Sequence, residues 1–340
     1  MRKNKEKNLL NSSPLDSPQF GKAEKLMNEF LDYLEIERNR SKKTRDNYEF
    51  YLTRFFKWLS EGRGKLIAAD ITADKVRQYR LWLNRLTDQF DKPLQKNTQN
   101  YHLIALRSFL KYLAKRDIKA LAPEKIELAK IPERMVEFLE GSDLEKLLEA
   151  PLKTHNTQHI THNKFNIIQL RDKAILELLF STGLRVSELS NLKIENINLK
   201  KDEFTVRGKG SKPRIVFLSN QAKYWVKEYL DERTDMDPAL FIGHDRAKKK
   251  RANKKNNNLT PRSIQRIIEK YGKVAGITKK ITPHTLRHSY ATDLLMNGAD
   301  IRSVQTMLGH SSITTTQIYT HITNQQLRDV HKAFHGRKRN

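Results

Sequence analysis

Not one cysteine occurs in the 340 residues, which excludes disulfides, thiol nucleophiles and Cys-ligated zinc, and with them a stapled secreted scaffold. Long apolar runs are missing as well. The best of them, Ala174 to Phe180, is short and interrupted by Glu177, far below the roughly 18 residues that a membrane span needs. The stretch from Met1 to Lys7 is basic, but only Leu9 and Leu10 follow before Asn-Ser-Ser-Pro, so it has no signal-peptide core and an intracellular soluble protein is expected. Acidic residues are the scarce charge: 39 Asp and Glu stand against 65 Lys and Arg, a formal net charge of +26. Self-repulsion of that size disfavours a compact state unless a polyanion offsets it, and nucleic acid is the commonest one. The basic residues are spread over the whole chain rather than gathered on one amphipathic helix, which argues against an anionic membrane surface.

The length suits about two domains. Residues 1–20 are polar, carry Pro14 and Pro18, and are expected to form a disordered basic tail. Between 21 and 118 four segments repeat apolar residues at helical spacing: Leu26, Phe30, Tyr33 and Leu34; Tyr48, Leu52, Phe55, Phe56 and Leu59; Val76, Tyr79, Leu83 and Leu86; Tyr101, Ile104, Ala105, Phe109 and Leu113. Their other faces hold Arg45, Arg77, Arg80, Lys96, Arg107, Lys111 and Lys115. Such residues taken singly form a solvated face; with the charge of the whole chain behind them they are expected to face DNA. From 119 to 141 the periodicity weakens around Pro123 and Pro132, and a linker is expected there. A mixed domain is then expected over 142–335, opened by a capping box at Ser142 and Glu145, with a basic tail at 336–340. Its elements are a helix ending near Gly183, another through Val186 and Leu189, two short strands at 203–207 and 214–218, and helices at 221–232, 261–273, 283–296 and 300–308.

Several residues of this second domain could carry chemistry. His284 and Arg287, three apart on a helix begun at Pro283, share a face at a terminus whose partial positive charge suits a phosphate. Arg185 follows a glycine-punctuated helix end and could equally pair with Glu188. Lys209 sits between Gly208 and Gly210 at a hairpin turn, His310 follows Leu308-Gly309, and Tyr319 lies in a Thr-rich stretch. Each alone is weak evidence. Their conjunction and order are not: Ser181-Thr182-Gly183-Leu184-Arg185-Val186-Ser187-Glu188-Leu189, then Gly208-Lys209-Gly210, Thr282-Pro283-His284-Thr285-Leu286-Arg287-His288, Leu308-Gly309-His310-Ser311-Ser312, and Ile318-Tyr319-Thr320-His321.

In these segments the sequence resembles the tyrosine site-specific recombinases of the lambda-integrase family, most closely the Xer recombinases. The resemblance runs from about Gly21 to Phe334, with no catalytic position substituted. It implies a mainly α fold with a small antiparallel β-sheet: a two-domain C-shaped clamp made of a four-helix, SAM-like core-binding domain and a mixed α/β catalytic domain. The residues suit that chemistry. Arg185 and Arg287 offer bidentate forks to a phosphate whose charge grows in the transition state, and His310 adds a donor. Tyr319 is a nucleophile that can leave again, since losing a proton of pKa about 10 near pH 7 costs roughly 4 kcal/mol. The resemblance further implies that His284 accepts that proton and that Lys209 is the general acid for the 5′-oxygen. Glu188 would orient the arginine and His288 would pack. Cofactors, metal and ATP are not expected.

The resemblance also implies double-stranded DNA with a short recombination site as partner, and four protomers on it, homo- or hetero-tetrameric, docked through a C-terminal helix with an apolar stripe at Leu327, Val330 and Phe334. A second recombinase or a DNA translocase could join them, in the cytoplasm at the nucleoid. Resolution of chromosome dimers at a palindromic site is the role expected. An integrase, excisionase or invertase of a mobile element stands next, then a catalytically idle DNA-binding protein; a type IB topoisomerase is disfavoured by the N-terminal module. Arg246 to Lys255, which includes Lys248, Lys249, Lys250 and Arg251, reads as an inserted phosphate-contacting arm. His155, His159 and His162 have helical metal-ligand spacing but loop-like surroundings, so no metal is expected.

Overall fold

The computed structural model describes residues 21–61, 66–87, 91–131, 137–153, 165–208, 213–244 and 257–309. The chain divides into two compact units between Glu133 and Arg134.

Among the described residues of the first unit four α-helices stand out: α1 (Lys22–Ile36), α2 (Lys42–Ser60), α3 (Ala73–Arg85) and α4 (Lys96–Ala114). Two start on side-chain caps, where Ser41 Oγ accepts from Thr44 N and Thr72 Oγ1 from Lys75 N, each at 3.3 Å. Their apolar stripes meet in an aromatic core. Phe30 lies against Phe109 at 5.5 Å, Phe56 against Phe109 at 5.8 Å and Phe55 against Tyr79 at 4.9 Å, all edge-on as ring quadrupoles prefer. One polar pair is sealed inside. His102 Nδ1 must donate to the Thr98 carbonyl (2.9 Å), so its Nε2 is left to accept from Arg54 Nη1 (3.3 Å). Residues beyond 118 pack on this unit: after a 3₁₀ turn at Pro123–Lys125, Ile126 is buried, and Ala129 exchanges two hydrogen bonds with the Asn100 side chain.

The second unit is arranged around α6 (Ile167–Thr182), which follows α5 (Gly141–Lys153). Ser142, expected as the cap of α5, lies inside it, because the helix begins at Gly141, whose φ is +44°. α6 is buried on nearly every side, its charged residues included. Lys173 Nζ therefore meets both Glu177 (2.8 Å) and Glu149 (2.6 Å), while Asp172 accepts from Arg171 and Tyr271. Buried charges persist only when compensated in this way. Then come α7 (Val186–Ser190), a 3₁₀ turn at Ile194–Asn196, and strands β1 (Glu203–Arg207) and β2 (Pro213–Phe217). The strands pair antiparallel with Glu203 opposite Phe217 and Arg207 opposite Pro213, as a hairpin requires. α8 (Asn220–Asp231), α9 (Pro261–Val274), α10 (Pro283–Met296) and α11 (Ile301–Leu308) follow among the described residues. A separate apolar cluster of Tyr290, Ala291, Leu295, Val304 and Leu308 clamps α11 to α10. No helix among the described residues is long and apolar enough to cross a membrane.

Candidate active site

Gly183 ends α6 in the left-handed conformation, φ +58°, with its N–H on the Leu179 carbonyl. The chain turns there and restarts at once as α7, so Arg185 stands at the corner between two helices. Glu188 fixes the corner: one carboxylate oxygen accepts the Arg185 backbone N–H at 2.8 Å and the other accepts Arg185 Nη1 at 3.0 Å. Arg185 Nη2 reaches the Gly309 carbonyl at 3.3 Å. About a quarter of its side chain stays exposed.

α10 brings the other groups. Thr282 Oγ1 caps it by accepting from Thr285 N (3.2 Å) and Pro283 opens it, which puts His284 and Arg287 on one face of its first turns. Arg287 is nearly wholly buried and bridges two segments far apart in sequence, donating to the Gly183 carbonyl and, at 2.6 Å, to that of Leu308. His284 lies at the open side. Partial burial, then Arg287 and Arg185, lower its pKa below 6.5, so the imidazole is neutral at pH 7 and able to accept a proton. His288 stands one turn on, its ring 6.5 Å from that of His284.

Arg214 was not foreseen. It projects from β2 onto Glu188 with a two-pronged contact, Nη1 to Oε1 at 2.8 Å and Nη2 to Oε2 at 2.7 Å. A signal was present in the sequence: alternation along β2 turns Arg214 to the same side as the buried Val216, and an inward arginine requires a buried acid. Burial would raise the pKa of Glu188, but hydrogen bonds from Arg214 and Arg185 outweigh it and hold the carboxylate below its ordinary 4.5. Two guanidinium groups thus lean on one carboxylate and a third on backbone carbonyls. Such a corner retains positive charge and suits an anion. Beside it lies a groove of about 900 Å³ lined by Arg185, Ser187, Asn191, Asn196, Thr205 and Arg207.

Lys209, His310 and Tyr319 lie outside the described residues, as do Lys248, Lys249, Lys250, Arg251 and the histidines at 155, 159 and 162. Among the described residues no cluster of His, Asp and Glu could hold a metal. The basic residues of the first unit differ in their surroundings. Arg45 is held by Glu35 at 3.3 Å and Glu49 at 2.9 Å, and Arg77 by Asp74 at 3.1 Å. Arg80, Lys96 and Lys111 have no ion pair among the described residues, and Arg107 is half-buried with Nε unpartnered.

Comparison with known proteins agrees with this layout. Residues 137–326 match the phage integrase family, and residues 27–117 match the N-terminal SAM-like domain of phage integrases. The tyrosine recombinase XerD of Chlorobaculum tepidum is 39% identical over 318 residues, covering 92% of this chain and 97% of that protein. The tyrosine recombinase XerC of Thermodesulfovibrio yellowstonii is 36% identical, covering 90% and 94%. In fold, the chain resembles the XerH site-specific recombinase bound to its palindromic difH substrate, with a TM-score of 0.65, 23% identity and coverage of 96% of this chain and 92% of that one. The Tn1549 transposon integrase in complex with transposon right end DNA has the same TM-score at 19% identity, covering 91% and 99%. Signature segments, a basic corner built around one glutamate and relatives matched over nine-tenths of the length lead to one conclusion: the chain belongs to the phage integrase family and is a tyrosine recombinase.

Proposed function

We propose that this site-specific recombinase resolves chromosome dimers by exchanging strands at a short palindromic DNA site. The convergence of Arg185, Arg287 and His284 on one corner, with Glu188 holding Arg185 there, is the observation that carries the reaction. In this reading Arg185 and Arg287 stabilise the charge that grows on the non-bridging phosphate oxygens, with His310 as a further donor. The Tyr319 hydroxyl attacks phosphorus and gives its proton to neutral His284. The bond from phosphorus to the 5′-oxygen breaks, and Lys209 protonates that oxygen. A 3′-phosphotyrosyl link remains, which conserves the energy of the broken bond, so rejoining needs no ATP. Glu188 keeps Arg185 aimed.

Arg80, Lys96, Arg107 and Lys111 would hold the duplex, with Lys248, Lys249, Lys250 and Arg251 as a further contact. Arg45 and Arg77 would first have to leave their carboxylates. Exchange between two duplexes calls for four protomers, joined through the stripe at Leu327, Val330 and Phe334. The palindromic substrate of the XerH relative and the names of the XerC and XerD relatives support dimer resolution as the role.

Trapping covalent protein–DNA adducts in the native host, with Tyr319→Phe as the blank, tests this. Attached ends at one short, roughly palindromic chromosomal site are the expected result. Clusters at the borders of a mobile segment would make the protein an integrase or invertase instead, and no adduct above the blank would leave a protein that binds DNA without cutting it.

A further inference from the structure

Arg214 has no part in the chemistry above, and only 8% of its side chain is exposed, so it is not placed to meet DNA. Its contacts are nonetheless unusually complete. Besides the two bonds to Glu188, its Nε donates to the Met307 carbonyl at 3.2 Å. One side chain therefore ties the strand that leaves the Lys209 hairpin to α7 and to the end of α11, just before His310. Glu188 has two oxygens, each with room for about two donors. Oε1 takes Arg185 Nη1 and Arg214 Nη1; Oε2 takes the Arg185 N–H and Arg214 Nη2. With all four positions filled, the carboxylate cannot turn without breaking a bond. Gly309 leaves the space this requires: its φ is +62°, and a Cβ there would lie 2.8 Å from Arg214 Cδ.

We infer that Arg214 is a positioning residue for DNA cleavage: it locks the Glu188 carboxylate in the rotation that aims Arg185. The inference rests on the reading that Arg185 binds the scissile phosphate. A residue that acts only through Arg185 becomes irrelevant once Arg185 is gone, whereas one that merely fills space does not.

The test uses the full-length protein and a nicked duplex carrying the chromosomal sequence recovered with wild-type adducts. Single-turnover adduct formation and DNA affinity are measured for Arg214→Gln, Arg214→Lys, Arg185→Ala and the double variant Arg185→Ala/Arg214→Gln. Affinity is expected to stay near wild type for the two single Arg214 variants. Adduct formation should fall about 10²-fold for Arg214→Gln, the range seen when one preorganised donor is removed, and about 10-fold for Arg214→Lys, which keeps the charge but not the fork. The double variant should be no slower than Arg185→Ala alone, since residues acting as a unit are non-additive. If the two losses multiply, or if Arg214→Gln cleaves at the wild-type rate while Arg185→Ala is crippled, this inference fails and the reading of the site survives. If Arg185→Ala cleaves normally, or the wild type forms no adduct, both fall. Should Arg214→Gln melt below the assay temperature, the same cycle run with Arg214→Lys decides.

Discussion

Four donors on two oxygens leave Glu188 little tendency to take up a proton. Its folded pKa lies below the ordinary 4.5, so its stabilising contribution is fully present above that value and disappears as pH falls through the folded one. Glu188→Gln should remove this acid-side loss and, by stranding the buried Arg214 guanidinium, cost about 3 kcal/mol at neutral pH, read by urea unfolding. His284 carries the opposite kind of group. Because partial burial, Arg287 and Arg185 disfavour its charged form, adduct formation should be flat around pH 7 and fall only below 6.5. Single-turnover rates between pH 5 and 8 check this, and His284→Gln should lower the plateau and abolish the fall; a fall that survives in that variant would give the base role to another group.

Helix ends set the site at the next scale up. Gly183 is both a left-handed terminus and a close neighbour of Tyr290, whose Cδ1 would lie 2.5 Å from any Cβ built there. Gly183→Ala should thus cost on the order of 2–4 kcal/mol and slow cleavage as well, since the Gly183 carbonyl holds Arg287. Most of these elements were legible in the sequence, because caps and breakers are local: Thr282 with Pro283, Gly183 and Gly309 mark helix ends within a residue or two. The signature positions Arg185, Glu188, His284 and Arg287 were legible through their order. Arg214 was not read, since its partner lies 26 residues away and a strand arginine is ordinarily solvated. The pair inside the first unit was hidden for the same reason: Arg54 and His102 are separated by 48 residues and joined only when α2 meets α4. Burial lowers the pKa of His102 to about 4, the Thr98 carbonyl opposes that, and Arg54 adds to it. The unfolded chain gains a proton near 6.5 that the folded one refuses, so stability should decline from pH 6.5 to about 4 by about 2–3 kcal/mol. Urea unfolding followed by tryptophan fluorescence would show it, and His102→Gln should flatten the decline.

For the whole molecule the net charge of +26 is the governing number. Affinity for a duplex should fall linearly in the logarithm of salt concentration, with a slope near 0.9 for every phosphate neutralised. Removing Arg80, Lys96 and Lys111 together should lower the slope by about 2–3 without changing which sequence is preferred, since phosphate contacts set affinity and base contacts set choice. Truncation after Asn324 should keep binding and abolish coordinated strand exchange; recombination that persists would place subunit docking elsewhere.

The carbonyls that hold Arg287 and Arg185 belong to Gly183, Leu308 and Gly309. A recombinase is dangerous to DNA when half made, and this arrangement answers the danger in the order of synthesis. A chain that has left the ribosome as far as residue 250 already owns Arg185, Glu188 and Arg214, yet it lacks Arg287, two of those three carbonyls and the tyrosine. Fraying of α11 in the finished protein would undo the same corner from the other side. On the roles proposed for Arg185 and Arg287, the competence to cut therefore arrives only with the completed fold.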